Sequence, residues 1–112
     1  MEFTVKIDDR KVKKFIKDIM GNLPEYSLSL SCVGWKYEEC KYIFVDNEDE
    51  KKYTITMDEL FIGFKILANC VLNGAYSFDG LGDILELDGC KWDAVVVDAL
   101  IQCSIFGEII YG

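Results

Sequence analysis

Residues 92–111 read WDAVVVDALIQCSIFGEIIY, and this stretch decides the fold. Within Asp93–Phe106, the only polar residues after Asp93 are Asp98, Gln102 and Ser104. A helix that is apolar on most of its circumference has to be buried, so the sequence predicts a C-terminal helix at the centre of the core. Asp98 and Gln102 are one helical turn apart, and we expect them to mark the narrow stripe of this helix that reaches water.

Two amphipathic helices are predicted to cover this segment. The first is capped by Asp8 or Asp9 and ends at Gly21 and Pro24. Its apolar stripe consists of Val12, Phe15, Ile16, Ile19 and Met20. Its other face carries Arg10, Lys11, Lys13, Lys14 and Lys17. This basic face is typical of a solvated surface, and the alternative is a surface for nucleic acid or for an acidic partner.

The second helix is predicted to begin at Met57, because Thr56 and Glu59 have the spacing of a capping box. Its core stripe consists of Leu60, Phe61, Phe64, Leu67, Ala68 and Val71. Gly63 lies inside this helix, where glycine is unfavourable, and therefore indicates that another backbone, that of the C-terminal helix, approaches closely. Ile62, Ile66 and Cys70 form a second apolar edge, which either contacts another layer or is exposed, for example at a homodimer contact.

Alternating residues predict short strands at 3–7, 26–33, 41–45 and 53–56. A turn is expected around Gly34, and the charged run at 46–52 predicts an exposed hairpin loop. The expected fold is therefore α+β, with a small antiparallel sheet of three or four strands packed against about three helices. Residues 1–112 are expected to form a single domain.

Charge and composition exclude several classes of function. Twelve basic and twenty acidic residues give a net charge of −8. This balance argues against direct binding of nucleic acid and against adsorption to anionic membranes. The N-terminus has no signal-peptide pattern, and the five cysteines have no CxxC spacing, so we expect a cytoplasmic protein with reduced thiols.

The same reasoning argues against an enzyme. The chain has no histidine, which excludes Ser-His, Cys-His and His-ligated zinc chemistry within it. The loop from Asp79 to Asp83 lacks the acidic residues that a calcium loop requires, and no phosphate-binding pattern is present. We therefore expect no cofactor, no metal and no catalytic residues; any thiolate activity would depend on Cys40 or Cys90.

Two acidic segments are the candidate partner-binding site. The hairpin contributes Asp46, Glu48, Asp49 and Glu50. The glycine-rich connection contributes Asp79, Asp83, Glu86 and Asp88. Tyr76, Phe78 and Tyr42 are expected to supply aromatic anchors nearby. The alternative is that the acidic hairpin only keeps the protein soluble and its sheet unpaired.

The C-terminal sequence FGEIIYG, after the helix DAVVVDALIQCSI, resembles the ends of small uncharacterised proteins carried by prophages and mobile elements of low-GC bacteria. The resemblance covers about a fifth of the chain and contains no catalytic motif. It implies a setting in which compact acidic proteins, including anti-CRISPR proteins, often act as stoichiometric inhibitors. No site residue follows from it.

The sequence thus favours a non-enzymatic protein-interaction module of a phage or mobile element. Its carboxylates would stand in for phosphates, as a DNA mimic does, and would block the basic channel of a nucleic-acid-handling enzyme. One alternative is an immunity protein that neutralises a toxin. Another is a small-molecule sponge built around Trp35, Trp92 and the glycine-rich connection.

Overall fold

A computed structural model describes residues 8–21, 29–78, 81 and 83–111. In this part of the chain the elements are α1 (Asp9–Met20), β1 (Leu30–Lys36), β2 (Lys41–Asp46), β3 (Lys52–Ile55), α2 (Met57–Leu72) and α3 (Ala94–Phe106). The strands form an antiparallel sheet in the order β1-β2-β3. The predicted α+β fold is confirmed; the strand expected at 3–7 lies outside the described residues.

Helix α1 forms as its sequence predicts. Asp8 is the N-cap, and its carboxylate accepts a hydrogen bond from the backbone N–H of Lys11. The apolar stripe is buried at Val12, Ile16, Ile19 and Met20 and half-buried at Phe15. The basic face points to solvent for most of its length, with Lys17 half-buried over the ring of Tyr37.

Strand β1 runs further than its sequence pattern suggests. The turn expected at Gly34 does not form there; the strand continues to Lys36, and the chain reverses through the short 3₁₀ turn Tyr37–Glu39. A register shift between Cys32 and Gly34 makes Val33 an extra, bulged residue. Strict alternation cannot continue through such a bulge, which explains why the predicted end of the strand was wrong.

Helices α2 and α3 pack backbone to backbone at Gly63, as predicted. A Cβ atom at Gly63 would contact the Ser104 side chain and lie 2.7 Å from its backbone nitrogen and 2.8 Å from its Cα. Only glycine permits this approach. The start of α2 at Met57 is also confirmed, although the cap differs in detail: the Thr56 hydroxyl donates to the carboxylate of Glu59, at 2.5 Å, instead of accepting from a backbone N–H.

The buried residues of the helices and of the sheet form one core. Helix α3 begins after its N-cap Asp93 and ends at Gly107, which has the left-handed φ of +76° that glycine favours. Trp92, just before α3, packs against Phe15 edge-on and against Phe64 in a stacked arrangement, with ring centroids 5.3 and 5.9 Å away. The C-terminal helix is therefore the central element of the core, as its sequence predicts.

Candidate partner-binding site

The tip of the β2–β3 hairpin has a backbone fixed by local hydrogen bonds. The loop Asn47–Glu50 is closed by a bond of 3.0 Å from the N–H of Asp46 to the carbonyl of Lys51, and by one of 2.8 Å from the N–H of Glu50 to the carbonyl of Asp46. Asp49 adds a side-chain bond of 2.9 Å from the N–H of Lys51. The loop therefore presents its side chains from a defined conformation.

Asp46 does not lie at the exposed tip, and this expectation from the sequence was wrong. The residue is only 2% exposed, because it is the last residue of β2 and faces the core side of the sheet opposite Leu30. Its carboxylate accepts bonds from the N–H of Glu48 at 2.9 Å and from the hydroxyl of Tyr111 at 2.7 Å. These two hydrogen bonds, in that order, lower the pKa of Asp46. Asp46 therefore supports the tip and cannot contact a partner.

The remaining three predicted residues of the tip, Glu48, Asp49 and Glu50, are all exposed. Among the described residues they take part in no ion pair, although Lys51 and Lys52 follow them directly. Three adjacent carboxylates without a paired cation create a locally negative potential at the end of the sheet.

The second acidic segment has the same sign of charge but uses its side chains locally. Asp83 and Asp88 cap two consecutive 3₁₀ turns, accepting from the N–H of Leu85 at 2.8 Å and of Cys90 at 3.0 Å. Glu86 forms an ion pair of 2.9 Å with Lys91. All three acidic residues are exposed, whereas Asp79 lies outside the described residues. This segment is therefore already partly neutralised, unlike the hairpin tip.

Two of the three expected aromatic anchors are accessible. Tyr76 is exposed, Phe78 is half-buried, and their rings are stacked with centroids 6.4 Å apart. Tyr42 is only 1% exposed and belongs to the core, so the expectation that it anchors a partner was wrong. It faces the core from the central strand of the sheet, whose residues alternate between half-buried and buried.

The two tryptophans proposed for a ligand site differ in their surroundings. Trp92 is 3% exposed in the core, whereas 57% of Trp35 is exposed near the end of β1. A small-molecule sponge built around this pair and the glycine-rich connection stays a prediction, since residues 79, 80 and 82 of the connection lie outside the described residues.

Asp98 and Gln102 hold neighbouring segments in place, and of the two only the half-buried Asp98 is accessible to water. Asp98 accepts bonds from the backbone N–H of Ser29 at 2.9 Å and from its hydroxyl at 2.8 Å. Gln102, which is 1% exposed, donates to Asp98 and to the carbonyl of Tyr111, and its oxygen accepts from the N–H groups of Ile110 and Tyr111 at 2.9 and 2.8 Å. The predicted water-facing stripe is thus a polar tether between β1, α3 and the C-terminal segment.

This tether forms one wall of a cleft of about 360 Å³. Its polar lining comes from Ser29, Asp98, Gln102 and Tyr111, and its aromatic lining from Tyr76 and Phe78. Tyr111 lines the cleft and also binds Asp46 at the base of the hairpin, so the cleft and the acidic tip adjoin. The structure thereby brings the predicted aromatic pair close to the hairpin through residues that we did not predict as part of the site.

Sequence reasoning missed Ser29, Asp98, Gln102 and Tyr111. One signal was present: a polar pair inside an otherwise apolar, buried helix requires hydrogen-bond partners, because unpaired buried polar groups are costly. No sequence pattern indicates which residues these partners are, since Ser29 and Tyr111 lie in segments that are distant along the chain.

No group of three or more His, Cys, Asp or Glu side chains in the described ranges has the geometry of a metal site. Burial raises the pKa of the Cys40 thiol, and Cys90 is exposed on a 3₁₀ turn. In the same part of the chain, no helix is long and apolar enough to cross a bilayer.

No protein-family model, no curated protein and no solved structure matches this chain.

Proposed function

We propose that this protein is a non-enzymatic interaction module whose acidic hairpin binds a basic surface of a protein partner. The observation that carries the proposal is the tip itself: Glu48, Asp49 and Glu50 are exposed, adjacent and without an ion pair among the described residues. Exposed like charges repel one another and are stabilised when a cationic surface approaches.

The support of the tip favours a binding role over a merely solubilising one. A loop that only keeps a hairpin soluble needs exposed charge but no fixed shape. This loop is instead held by the buried Asp46, whose carboxylate bonds both the N–H of Glu48 and the hydroxyl of Tyr111. A preorganised loop loses less conformational entropy when it binds, so its contacts contribute more to affinity.

The partner that we propose is a nucleic-acid-handling enzyme with a basic channel, which the tip would occupy in the manner of a DNA mimic. A row of closely spaced carboxylates resembles a phosphate backbone in charge, and such enzymes hold phosphates with lysine and arginine side chains. The resemblance of the C-terminal residues to proteins of prophages and mobile elements supports an inhibitor of the anti-CRISPR kind. An immunity protein that neutralises a basic toxin would use the same surface.

Charge reversal at the tip tests the proposal. The triple variant Glu48→Lys, Asp49→Lys, Glu50→Lys changes the net charge of −8 by six units, to −2. Its matched control is Asp18→Lys, Glu38→Lys, Glu39→Lys, which makes the same change at exposed residues of α1 and of the β1–β2 turn. This turn lies at the opposite end of the six-residue strand β2, roughly 20 Å from the tip.

The measurement is the dissociation constant for the partner recovered from the host cell by affinity capture, at low and high salt. We expect the tip variant to bind at least about 100-fold more weakly, because three favourable charge contacts become repulsive. The control should bind within about threefold of the original protein, and binding of the original protein should weaken steeply with salt. Equal loss in both variants, or binding that is insensitive to salt, would exclude the tip as the contact surface.

A further inference from the structure

We infer that the cleft between α3 and the stacked Tyr76–Phe78 pair receives an arginine side chain of the protein partner. This inference rests on the proposed function, because it assigns the occupant of a second contact beside the acidic tip. The cleft of about 360 Å³ lies at the small end of ligand sites, and it has room for a long side chain together with water.

The charge of the lining favours a cation. Among the described residues that line the cleft, Asp98 is the only acidic side chain, and none is a lysine or an arginine. Its carboxylate is half-buried and receives three hydrogen bonds, all from the neutral donors of Ser29 and Gln102. A carboxylate offers about four acceptor positions, so one position and the whole negative charge remain for a guest. A charged group that has lost part of its hydration is stabilised most strongly by an opposite charge placed beside it.

Two of the polar residues that line the cleft beside Asp98 already use their side-chain hydrogen-bonding groups within the protein. Gln102 uses both its amide hydrogens and both lone pairs of its oxygen within the protein. The hydroxyl of Tyr111 is committed to Asp46. A negatively charged group in the cleft would therefore be repelled by Asp98, and neither the Gln102 amide nor the Tyr111 hydroxyl could donate a hydrogen bond to it.

The aromatic and apolar lining distinguishes arginine from lysine. The rings of Tyr76 and Phe78 are nearly parallel, with an interplanar angle of 16°. A guanidinium group is planar and weakly hydrated and stacks on such faces, whereas an ammonium group is compact and strongly hydrated. The methylene stem of arginine would contact Ala94, Val95 and Ile109, which with Ala99 complete the apolar lining.

The position of the cleft fits a second contact of the same partner. Tyr111 forms part of its lining and binds Asp46, whose carboxylate also bonds the N–H of Glu48 at the acidic tip. A basic surface that engages the tip would thus bring its arginine side chains to the mouth of the cleft. An aromatic-lined pocket filled by arginine is a common centre of binding energy in protein interfaces.

The test is an NMR titration of the intact protein with Nα-acetyl-L-arginine methylamide, followed through the backbone amide signals. We expect saturable shifts at Ser29, Tyr76, Asp98 and Gln102, with a dissociation constant on the order of millimolar, as one charged contact and one stacked face allow. The matched lysine compound should bind at least about threefold more weakly. The citrulline compound, which has nearly the same shape without the charge, should give no saturable shift.

Substitutions of opposite charge at Val95 distinguish an effect on binding from an effect on folding. Val95 lines the cleft but is 63% exposed, so its substitution does not disturb the core. We expect Val95→Glu to tighten binding of the arginine compound about threefold and Val95→Lys to weaken it by a similar factor. Val33→Lys, at a valine that is 55% exposed outside the cleft, should leave binding unchanged. A gain in affinity with glutamate cannot arise from misfolding.

The experiments on the cleft and on the acidic tip can fail independently. Absence of saturable shifts with the arginine compound, or equal binding of the citrulline compound, would overturn the inference about the cleft and leave the acidic tip as the contact. If charge reversal of the tip leaves partner binding intact while Val95→Lys weakens it, the tip is excluded and the cleft stands.

Discussion

The hydroxyl of Tyr111 donates a hydrogen bond of 2.7 Å to the carboxylate of Asp46, which lies 65 residues earlier in the chain. The bond joins the C-terminal segment after α3 to the last residue of β2, directly beneath the acidic tip. Because Asp46 also bonds the N–H of Glu48, the orientation of the tip depends on how the far end of the chain is held. The core helix and the proposed contact surface are thus connected by specific polar contacts.

Substitution of Tyr111 by phenylalanine should lower the free energy of unfolding in a pH-dependent way. The hydrogen bonds to Asp46 lower the pKa of its carboxyl group from the ordinary value of 3.8. The stability that these bonds contribute is therefore fully present above pH 3.8 and is lost as the pH falls through the pKa of Asp46 in the folded protein. The bond to Asp46 raises the pKa of Tyr111 from 10.0 to about 12, so the contribution of its hydroxyl is present below pH 10 and is lost between pH 10 and about 12.

The measurement is urea unfolding of both proteins from pH 3 to pH 11. The difference between them should be constant from about pH 5 to pH 9 and should shrink at both extremes, because the contributions of Asp46 and Tyr111 are lost there. A difference that does not vary with pH would show that the hydroxyl of Tyr111 does not act through Asp46.

Tyr42→Phe is the matched control, and we expect it not to lower the free energy of unfolding. The buried hydroxyl of Tyr42 finds no hydrogen-bond partner in the part of the chain that the structure describes. Its removal should leave the free energy of unfolding unchanged or raise it by up to about 1 kcal/mol, since a buried unsatisfied polar group is lost. A clear destabilisation would show that this hydroxyl has a partner after all.

Substitution of Gln102 by leucine should release the C-terminal segment. The side chain is similar in size, but the N–H groups of Ile110 and Tyr111 lose their acceptor, so we expect a destabilisation of at least about 2 kcal/mol. Hydrogen exchange provides the local readout: these two amides should exchange much faster in the variant. The amide of Gly107, which bonds the carbonyl of Cys103, serves as the internal control and should stay protected. Unchanged exchange at 110 and 111 would contradict the tether.

Substitution of Gly63 by alanine should destabilise the protein although alanine is the better helix former. The added methyl group would lie 2.7 Å from the backbone nitrogen of Ser104, so α2 and α3 must separate, at a cost of about 1–3 kcal/mol. Gly89→Ala is the control, because no atom lies within 4 Å of its Cβ position, and should change stability by less than about 0.5 kcal/mol. A stabilised Gly63→Ala variant would show that the helices are further apart.

Native alkylation should distinguish the cysteines. Cys90 is exposed and should react with iodoacetamide first. Burial raises the pKa of the Cys103 thiol to about 12, with a further contribution from Cys70, so Cys103 should react only after unfolding. Peptide mass spectrometry of labelled protein gives the order. Since no catalytic thiol is proposed, alkylation of Cys90 should leave partner binding unchanged; a loss of binding would place Cys90 at the interface.

The sequence predicts the helices well, because their limits are marked by local chemistry. Asp8 and Asp93 cap helices, Gly107 ends one, and Gly63 correctly indicates the contact between α2 and α3. The sheet is predicted less well: the bulge at Val33 depends on pairing with β2, which the alternation of one strand does not encode.

The candidate site is the least predictable part. Asp46 belongs to a charged run, and the long-range bond to Tyr111 that satisfies its carboxylate at the core-facing end of β2 is not marked in the sequence. Likewise, the partners of Gln102 lie in the C-terminal segment and are brought to it by the way the chain turns after Gly107. Exposure of Glu48, Asp49 and Glu50, by contrast, follows from their place in a hairpin loop and was predicted.

The central claim is that the acidic tip occupies a surface where the partner otherwise holds nucleic acid, and mutual exclusion tests it most directly. Fluorescence anisotropy of a labelled DNA duplex bound to the recovered partner would be followed while this protein is added. We expect stoichiometric displacement of the DNA by the original protein and by the Asp18→Lys, Glu38→Lys, Glu39→Lys control, and none by the variant reversed at 48, 49 and 50. A stable ternary complex of partner, DNA and this protein would contradict it.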